Sequence, residues 1–151
     1  NVPHDAIVAG QEPDGRLLFV GRVNHDGGLH PGKVGAHLRG IFYPYGGDEK
    51  HCSHYEVLCG HAHHIQWVPI ESNQQFQHAR QHHQLLTGGH ERDRRPLFIA
   101  RTFHGRSIIP GKAGLHFGHK GCHYSWDEDE RETWRFEVAA ICRDIEVEQS
   151  W

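Results

Sequence analysis

The sequence predicts an all-β fold of two homologous β-rich repeats packed about a pseudo-twofold axis. Three observations lead there. The chain carries an internal duplication. Its 18 glycines and 7 prolines supply many turns. Its apolar segments are short and rich in β-branched and aromatic residues.

The duplication is the strongest of the three, and internal repeats fix an architecture before any local reading does. Leu18 to His37 reads LFVGRVNHDGGLHPGKVGAH, and Leu97 to His116 reads LFIARTFHGRSIIPGKAGLH. Nine of the twenty aligned positions are identical at an offset of 79 residues, where about one would coincide by chance. Upstream, Gly10-Gln11-Glu12 faces Gly89-His90-Glu91. Downstream, a two-residue insertion lies in Phe117 to Lys120, after which Gly40-Ile41-Phe42-Tyr43 faces Gly121-Cys122-His123-Tyr124. Asp48-Glu49-Lys50 then faces Asp129-Glu130-Arg131.

Each unit is expected to run as follows. Leu18 to Val23 forms a strand, Asn24 to Gly28 a hairpin loop, and a second strand follows near Leu29 or Val34. Pro31-Gly32 and Pro110-Gly111 are read as turns, because proline fixes φ and glycine allows φ > 0. Tyr55 to Leu58 and Phe136 to Ala139 alternate polar and apolar residues as half-buried strands do. Residues 1–60 make the first repeat and residues 61–151 the second, in one compact unit. An insertion near 70–86 interrupts the second repeat. There Ser72 and Gln75 are spaced as a capping box, which predicts a helix or ordered insertion over Asn73 to Leu86.

Composition excludes some functions. The formal charge of −3 and the lack of a dense basic stretch argue against nucleic acid. No apolar run approaches the roughly 20 residues of a membrane helix. No glycine-rich nucleotide loop, no G-x-S-x-G and no cysteine nucleophile with a motif partner is present, so no enzyme and no cofactor are expected. Cys52, Cys59, Cys122 and Cys142 are irregularly spaced and form no C-x-x-C; free thiols, disulfides and metal ligation all stay open.

The 17 histidines support a second reading. His61, His63 and His64 cluster, as do His78, His82 and His83, and also His51 and His54. On a helix, His78 and His82 share a face at a metal-compatible spacing. No H-E-x-x-H occurs, and no metal site is assigned. His61, His63, His78 and His82 are the ligands that a histidine-rich metal-binding or storage protein would use. The alternative is a polar face that charges as pH falls. His25/His104 and His37/His116 recur in both copies and are expected to serve the repeat itself or a pocket wall. Arg22 and Arg101, among apolar neighbours, are expected to be structural and to pair with a carboxylate such as Glu56 or Glu137.

The repeated strings resemble a known family. Ala9-Gly10-Gln11-Glu12, Phe19-Val20-Gly21-Arg22, Pro31-Gly32-Lys33, Gly46-Gly47-Asp48-Glu49 and Tyr55-Glu56-Val57-Leu58 occur in order. The second copy offers Gly88-Gly89-His90-Glu91, Phe98-Ile99-Ala100-Arg101, Pro110-Gly111-Lys112, Asp129-Glu130 and Phe136-Glu137-Val138. This pattern resembles the DM-nine repeat family, and within it the two-repeat mannose-binding lectins of bivalve molluscs. The match covers all but about residues 61–86 and 140–151. The resemblance implies sugar pockets between the repeats. It places Glu12 and Lys33 of one copy, and Glu91 and Lys112 of the other, on the sugar, with Glu49 and Glu130 from the later acidic turns. Where the family usually has Asp, this chain has the longer Glu. The second acidic turn, Asp127-Glu128, lacks the glycines of the first, so the first pocket is the expected working site. The implied ligand is a mannose-type glycan or small sugar, possible roles include pattern recognition in innate defence, and a homodimer is expected. The compartment is open, with an extracellular or non-classically secreted setting favoured over the cytoplasm.

The chemistry of these residue types suits a sugar. A carboxylate accepts from adjacent hydroxyls while an ammonium donates to their oxygens. Tyr43, Tyr45, Tyr124 and Trp126 offer faces for the apolar side of a ring. A single Glu/Lys pair is more often a surface ion pair; two pairs at matching offsets favour the sugar.

A last expectation concerns tryptophan. In the family each repeat opens with one, and Trp67 serves the second copy. Trp151 follows Val138 at about the distance at which Trp67 follows Val57. It is expected to fill the first copy's position, in its own chain or in a neighbour's, so that the repeats interlock through exchanged terminal segments.

Overall fold

The computed structural model describes residues 2–118, 120–142 and 150–151. The expected insertion between Phe117 and Lys120 and the chain start at Asn1 therefore lie partly outside the described residues. The first repeat contains β1 (Val8–Gln11), β2 (Leu17–His25), β3 (Gly28–Val34), β4 (Ile41–Tyr45), β5 (Asp48–Cys52) and β6 (Glu56–Val57). Strand β7 (Ile65–Ile70), helix α1 (Asn73–His82) and β8 (Gln84–Leu85) follow. The second repeat then contains β9 (Thr87–His90), β10 (Pro96–His104), β11 (Ser107–Ala113), β12 (Cys122–Trp126), β13 (Asp129–Thr133) and β14 (Phe136–Ile141). The helix aside, the fold is all-β.

Eight strands close a barrel in the order β1, β2, β3, β4, β5, β13, β12, β11. The copies interleave rather than sit side by side. Gln11 of β1 pairs with Ile108 of β11, and His90 of β9 pairs with Leu29 of β3. These are equivalent contacts related by the pseudo-twofold axis. The tips of the β4–β5 and β12–β13 hairpins meet at Asp48 and Asp129.

The interleaving explains the first motif of each copy. A Cβ on Gly10 would run into the Ile108 carbonyl, and one on Gly89 into the Leu29 carbonyl. Only glycine lets the two repeats' backbones approach this closely.

The Pro-Gly pairs are not turns. Pro31 and Gly32 lie inside β3, paired with Arg22 and Gly21 of β2, and Pro110 and Gly111 lie equivalently inside β11. The outer edge of β3 changes neighbour here, from β9 at Leu29 to β4 at Lys33. A residue at the changeover owes no N–H to a ladder, so proline is tolerated there. Gly32 admits β4, since a Cβ would meet the Phe42 carbonyl oxygen at 2.5 Å.

Helix α1 forms within the expected segment but ends at His82. Its cap is a variant of the expected box. Ser72 Oγ accepts from the Gln75 N–H, and Gln75 Oε1 reaches back to the N–H of Glu71 rather than of Ser72. Phe76 and Ala79 are its buried residues and pack on the second repeat's sheet, with Phe76 edge-on to Phe136. The first repeat covers the corresponding face with Val2, Ala6 and Tyr55 instead.

A central core joins the repeats through Ile7, Val20, Leu58, Ile65, Leu86 and Ile99. Trp67 and Trp151 both pack against it. Ser150 exchanges backbone hydrogen bonds with Cys59 of the first repeat, so Trp151 sits on the first repeat of its own chain. The four cysteines are free thiols, with Cys59 and Cys122 buried. No helix among the described residues is long and apolar enough to cross a membrane.

Candidate functional site

The two lysines of the Pro-Gly-Lys motifs lie near the ends of β3 and β11 and point between the repeats. Lys33 is 8% exposed and Lys112 is 3% exposed. Each reaches across to the other repeat. Lys33 Nζ donates to the Ser125 carbonyl at 2.9 Å and sits 5.6 Å from the centre of the Trp126 ring. Lys112 Nζ lies 3.0 Å from His30 Nδ1 and 5.4 Å from the centre of the Tyr45 ring. Past the two-residue insertion the alignment pairs Tyr45 with Trp126, so each lysine meets the aromatic residue that ends the other repeat's hairpin strand.

The electrostatics of the two sites diverge. Lys33 forms an ion pair with Glu49 Oε2 at 3.2 Å. Lys112 has no such close carboxylate among the described residues. Burial pulls its ammonium down to about 8, against the opposing fields of Glu130 and Glu91. His30 is 1% exposed, and burial followed by the nearby Lys112 charge pushes it down to about 4. A neutral His30 can therefore accept from Lys112 at Nδ1 and carry its proton on Nε2, which lies 4.0 Å from Glu91 Oε1. That tautomer follows from the hydrogen-bond network. The second repeat has Ile109 at the position of His30, so the Lys33 site lacks this imidazole.

Glu12 and Glu91 occupy the same place in two nearly identical turns. Glu12 N–H bonds the Arg16 carbonyl and Glu91 N–H the Arg95 carbonyl. Glu12 Oε2 is 3.0 Å from His37 Nε2, and Glu91 Oε2 is 2.7 Å from His116 Nε2. The recurrent His37 and His116 thus orient the two glutamates. Among the described residues neither glutamate reaches its own repeat's lysine at ion-pair distance. The other recurrent pair, His25 and His104, bonds Tyr43 and Tyr124 at 2.8 and 3.0 Å.

Glu49 and Glu130 serve the junction of the two hairpins. Glu49 Oε1 accepts from the Glu128 N–H at 3.4 Å, and Glu130 Oε1 accepts from the Gly47 N–H at 3.1 Å. Burial alone would raise the Glu130 carboxyl. The His123 hydrogen bond, the Gly47 N–H and the His123 and Lys112 charges outweigh it and hold the group below its ordinary value. The turn at Asp127-Glu128 keeps the left-handed backbone of Gly46-Gly47 without glycine, at φ of 51° and 69° against 63° and 90°.

One open cleft of about 530 Å³ lies between the repeats on the Glu91 side. Asp26, His30 and Tyr45 of the first repeat face Glu91, Arg92, Asp93 and Arg95 of the second. Sequence reading singled out Glu91 and Tyr45 but missed His30, Asp26 and Arg92. The only available signal was negative: these are positions at which the copies differ.

The remaining expected residues lie elsewhere. His78 and His82 stack on α1 with ring centres 3.9 Å apart, and His82 Nδ1 bonds the His78 carbonyl. His61, His63 and His64 cluster around the short 3-10 turn Ala62–His64. Among the described residues, no three His, Cys, Asp or Glu side chains converge to hold a metal ion. Arg22 and Arg101 pair with Glu56 and Glu137 at 3.0 and 2.7 Å, as their strand setting predicts.

No curated protein matches the chain closely enough to serve as a named relative. The DM9 repeat family model matches residues 1–52 and 12–133, two overlapping stretches that together span most of the sequence. With its interleaved repeats and its matching motifs in both copies, the chain belongs to the DM9 repeat family.

Proposed function

We propose that this protein is a non-enzymatic carbohydrate-binding lectin for mannose-type glycans, held in clefts between its two repeats. The observation that carries the reading is the cleft at Glu91. A histidine-oriented carboxylate, the Nε2 proton of a neutral His30 and the half-buried Tyr45 ring border a polar recess of about 530 Å³. A sugar needs acceptors and donors for its hydroxyls and an aromatic surface for its C–H face, and these groups supply all three. Membership of the DM9 repeat family is consistent with this role. One such site binds weakly, because water competes for every hydrogen bond. Several copies of the site, as in a homodimer, would raise retention on a multivalent glycan. A secreted protein recognising microbial glycans fits this design.

The test is retention on mannose resin. Lys33→Ala with Lys112→Ala should abolish it while the circular dichroism spectrum stays native. Full retention by the folded double variant would overturn the assignment of the lysines. Failure of the unmodified chain to bind mannose resin or any neutral glycan on an array would overturn the lectin reading itself.

A further inference from the structure

The rim of the Glu91 cleft differs in charge from its counterpart in the other repeat. The turn at Glu12 reads Glu12-Pro13-Asp14-Gly15-Arg16, and the turn bordering the cleft reads Glu91-Arg92-Asp93-Arg94-Arg95. The shared residues perform the same work in both. Asp14 binds the Arg16 backbone N–H at 3.0 Å and its side chain at 2.7 Å; Asp93 binds those of Arg95 at 3.1 and 2.8 Å. Arg95 is therefore already neutralised. The second rim adds Arg92 and Arg94, in place of proline and glycine.

Arg92 lines the cleft, and its stem lies over Gly27 of the opposite repeat, with Cγ 3.0 Å from where a Cβ would stand. Among the described residues it forms no ion pair. The acids of the cleft are otherwise engaged: Glu91 with His116, Asp93 with Arg95, and Asp26 with the Tyr45 hydroxyl at 3.5 Å. Arg94 holds a left-handed backbone, φ 77°, where the first copy has Gly15 at φ 88°. Its side chain lies 3.4 Å from His90 Nε2 and forms no ion pair among the described residues. An arginine in that conformation is strained. Below them, Lys112 adds a third cation without a close carboxylate. A ligand with hydroxyls at one end and an anion at the other would match this arrangement. Its hydroxyls would face Glu91 and His30, and its anion would face Arg92.

We infer that the cleft at Glu91 prefers an acidic sugar, one carrying a carboxylate or a sulfate, over a neutral one. The inference rests on the lectin reading above and narrows the ligand class of that same cleft.

The experiment titrates the full chain with methyl α-mannoside, methyl α-glucuronide and a 6-O-sulfated mannoside by calorimetry at low salt. The unmodified protein should bind at least one acidic probe more tightly than the neutral one, and added salt should erode the gain. Arg92→Gln, which keeps length and backbone, should weaken the acidic probe about tenfold, well beyond any loss for the mannoside. Arg92→Pro with Arg94→Gly, which rebuilds the first copy's rim, should do the same. Mannoside binding with no acidic preference, or an acidic preference that survives both variants, would overturn this inference and leave the lectin reading intact. Binding of none of the three probes would overturn both. The two acidic probes distinguish a uronic acid from a sulfated sugar.

Discussion

The Arg22 guanidinium lies 4.4 Å from the centre of the Trp151 ring. Its counterpart Arg101 lies 4.2 Å from that of Trp67. Each arginine is held between a tryptophan face and a glutamate, Glu56 or Glu137. Trp151 thus completes the first repeat as Trp67 completes the second. Trp151→Ala should destabilise the protein by about 2–3 kcal/mol, from lost apolar burial and about 0.5–1 kcal/mol of cation–π attraction. Urea denaturation checks this. A variant as stable as the parent would show that the ring merely rests on the surface.

Lys33 and Glu49 form an ion pair whose side chains are 9% and 12% exposed. Removing one partner leaves the other charged and poorly solvated. Glu49→Ala should therefore cost about 3 kcal/mol, and it also removes the acceptor for the Glu128 N–H. Lys33→Met with Glu49→Leu should recover much of that loss, because no lone charge remains. Thermal melts of the single and double variants test the coupling. Additive losses would refute it.

Acid should weaken the fold through His30. Its native pKa is near 4, below the ordinary 6.5, so the unfolded chain takes up a proton that the native chain refuses. Stability therefore falls as pH drops from about 6.5 to about 4, by up to about 3 kcal/mol, and this contribution levels off below. His30→Gln keeps an acceptor for Lys112 and should flatten that slope. Lys112 acts the same way at higher pH. Its pKa, near 8 against 10.5, makes stability rise between those values as the unfolded state alone keeps its proton. Urea midpoints across both windows, for parent and His30→Gln, measure the two effects separately.

Glu128 holds φ at 69° where the first copy has Gly47. An L-residue with a long side chain is disfavoured there by about 1 kcal/mol, offset in part by the greater freedom of glycine in the unfolded chain. Glu128→Gly should raise stability by about 0.5 kcal/mol. It should not disturb the hairpin junction, which uses the Glu128 backbone rather than its side chain. An unchanged or lowered melting temperature would contradict this.

Much was legible in the sequence because it was repeated. Matching strings revealed two equivalent units, their strands and the Arg–Glu pairs. The spacing of Ser72 and Gln75 marked the start of α1. The Trp151 placement could be read because a repeat missing one residue points to whatever restores it. Local rules failed at Pro31-Gly32. Those residues resemble a turn, yet β3 runs straight through them as its edge changes partner, and the partner belongs to the other repeat.

The sequence by itself determined the duplication, the β architecture and which residue types recur. Only the tertiary structure decided who meets whom. Lys33 meets Ser125 and Lys112 meets His30 because β1 crosses onto β11 and β9 onto β3, so each site is built from both copies. The differences between the copies, Ile109 for His30 and Pro13 for Arg92, look like ordinary divergence along the chain. They become chemically distinct surroundings for Lys33 and Lys112 once the fold brings the unlike halves together. Alignment compares equivalent positions, whereas a binding site is made of inequivalent ones, and only packing supplies that second relation.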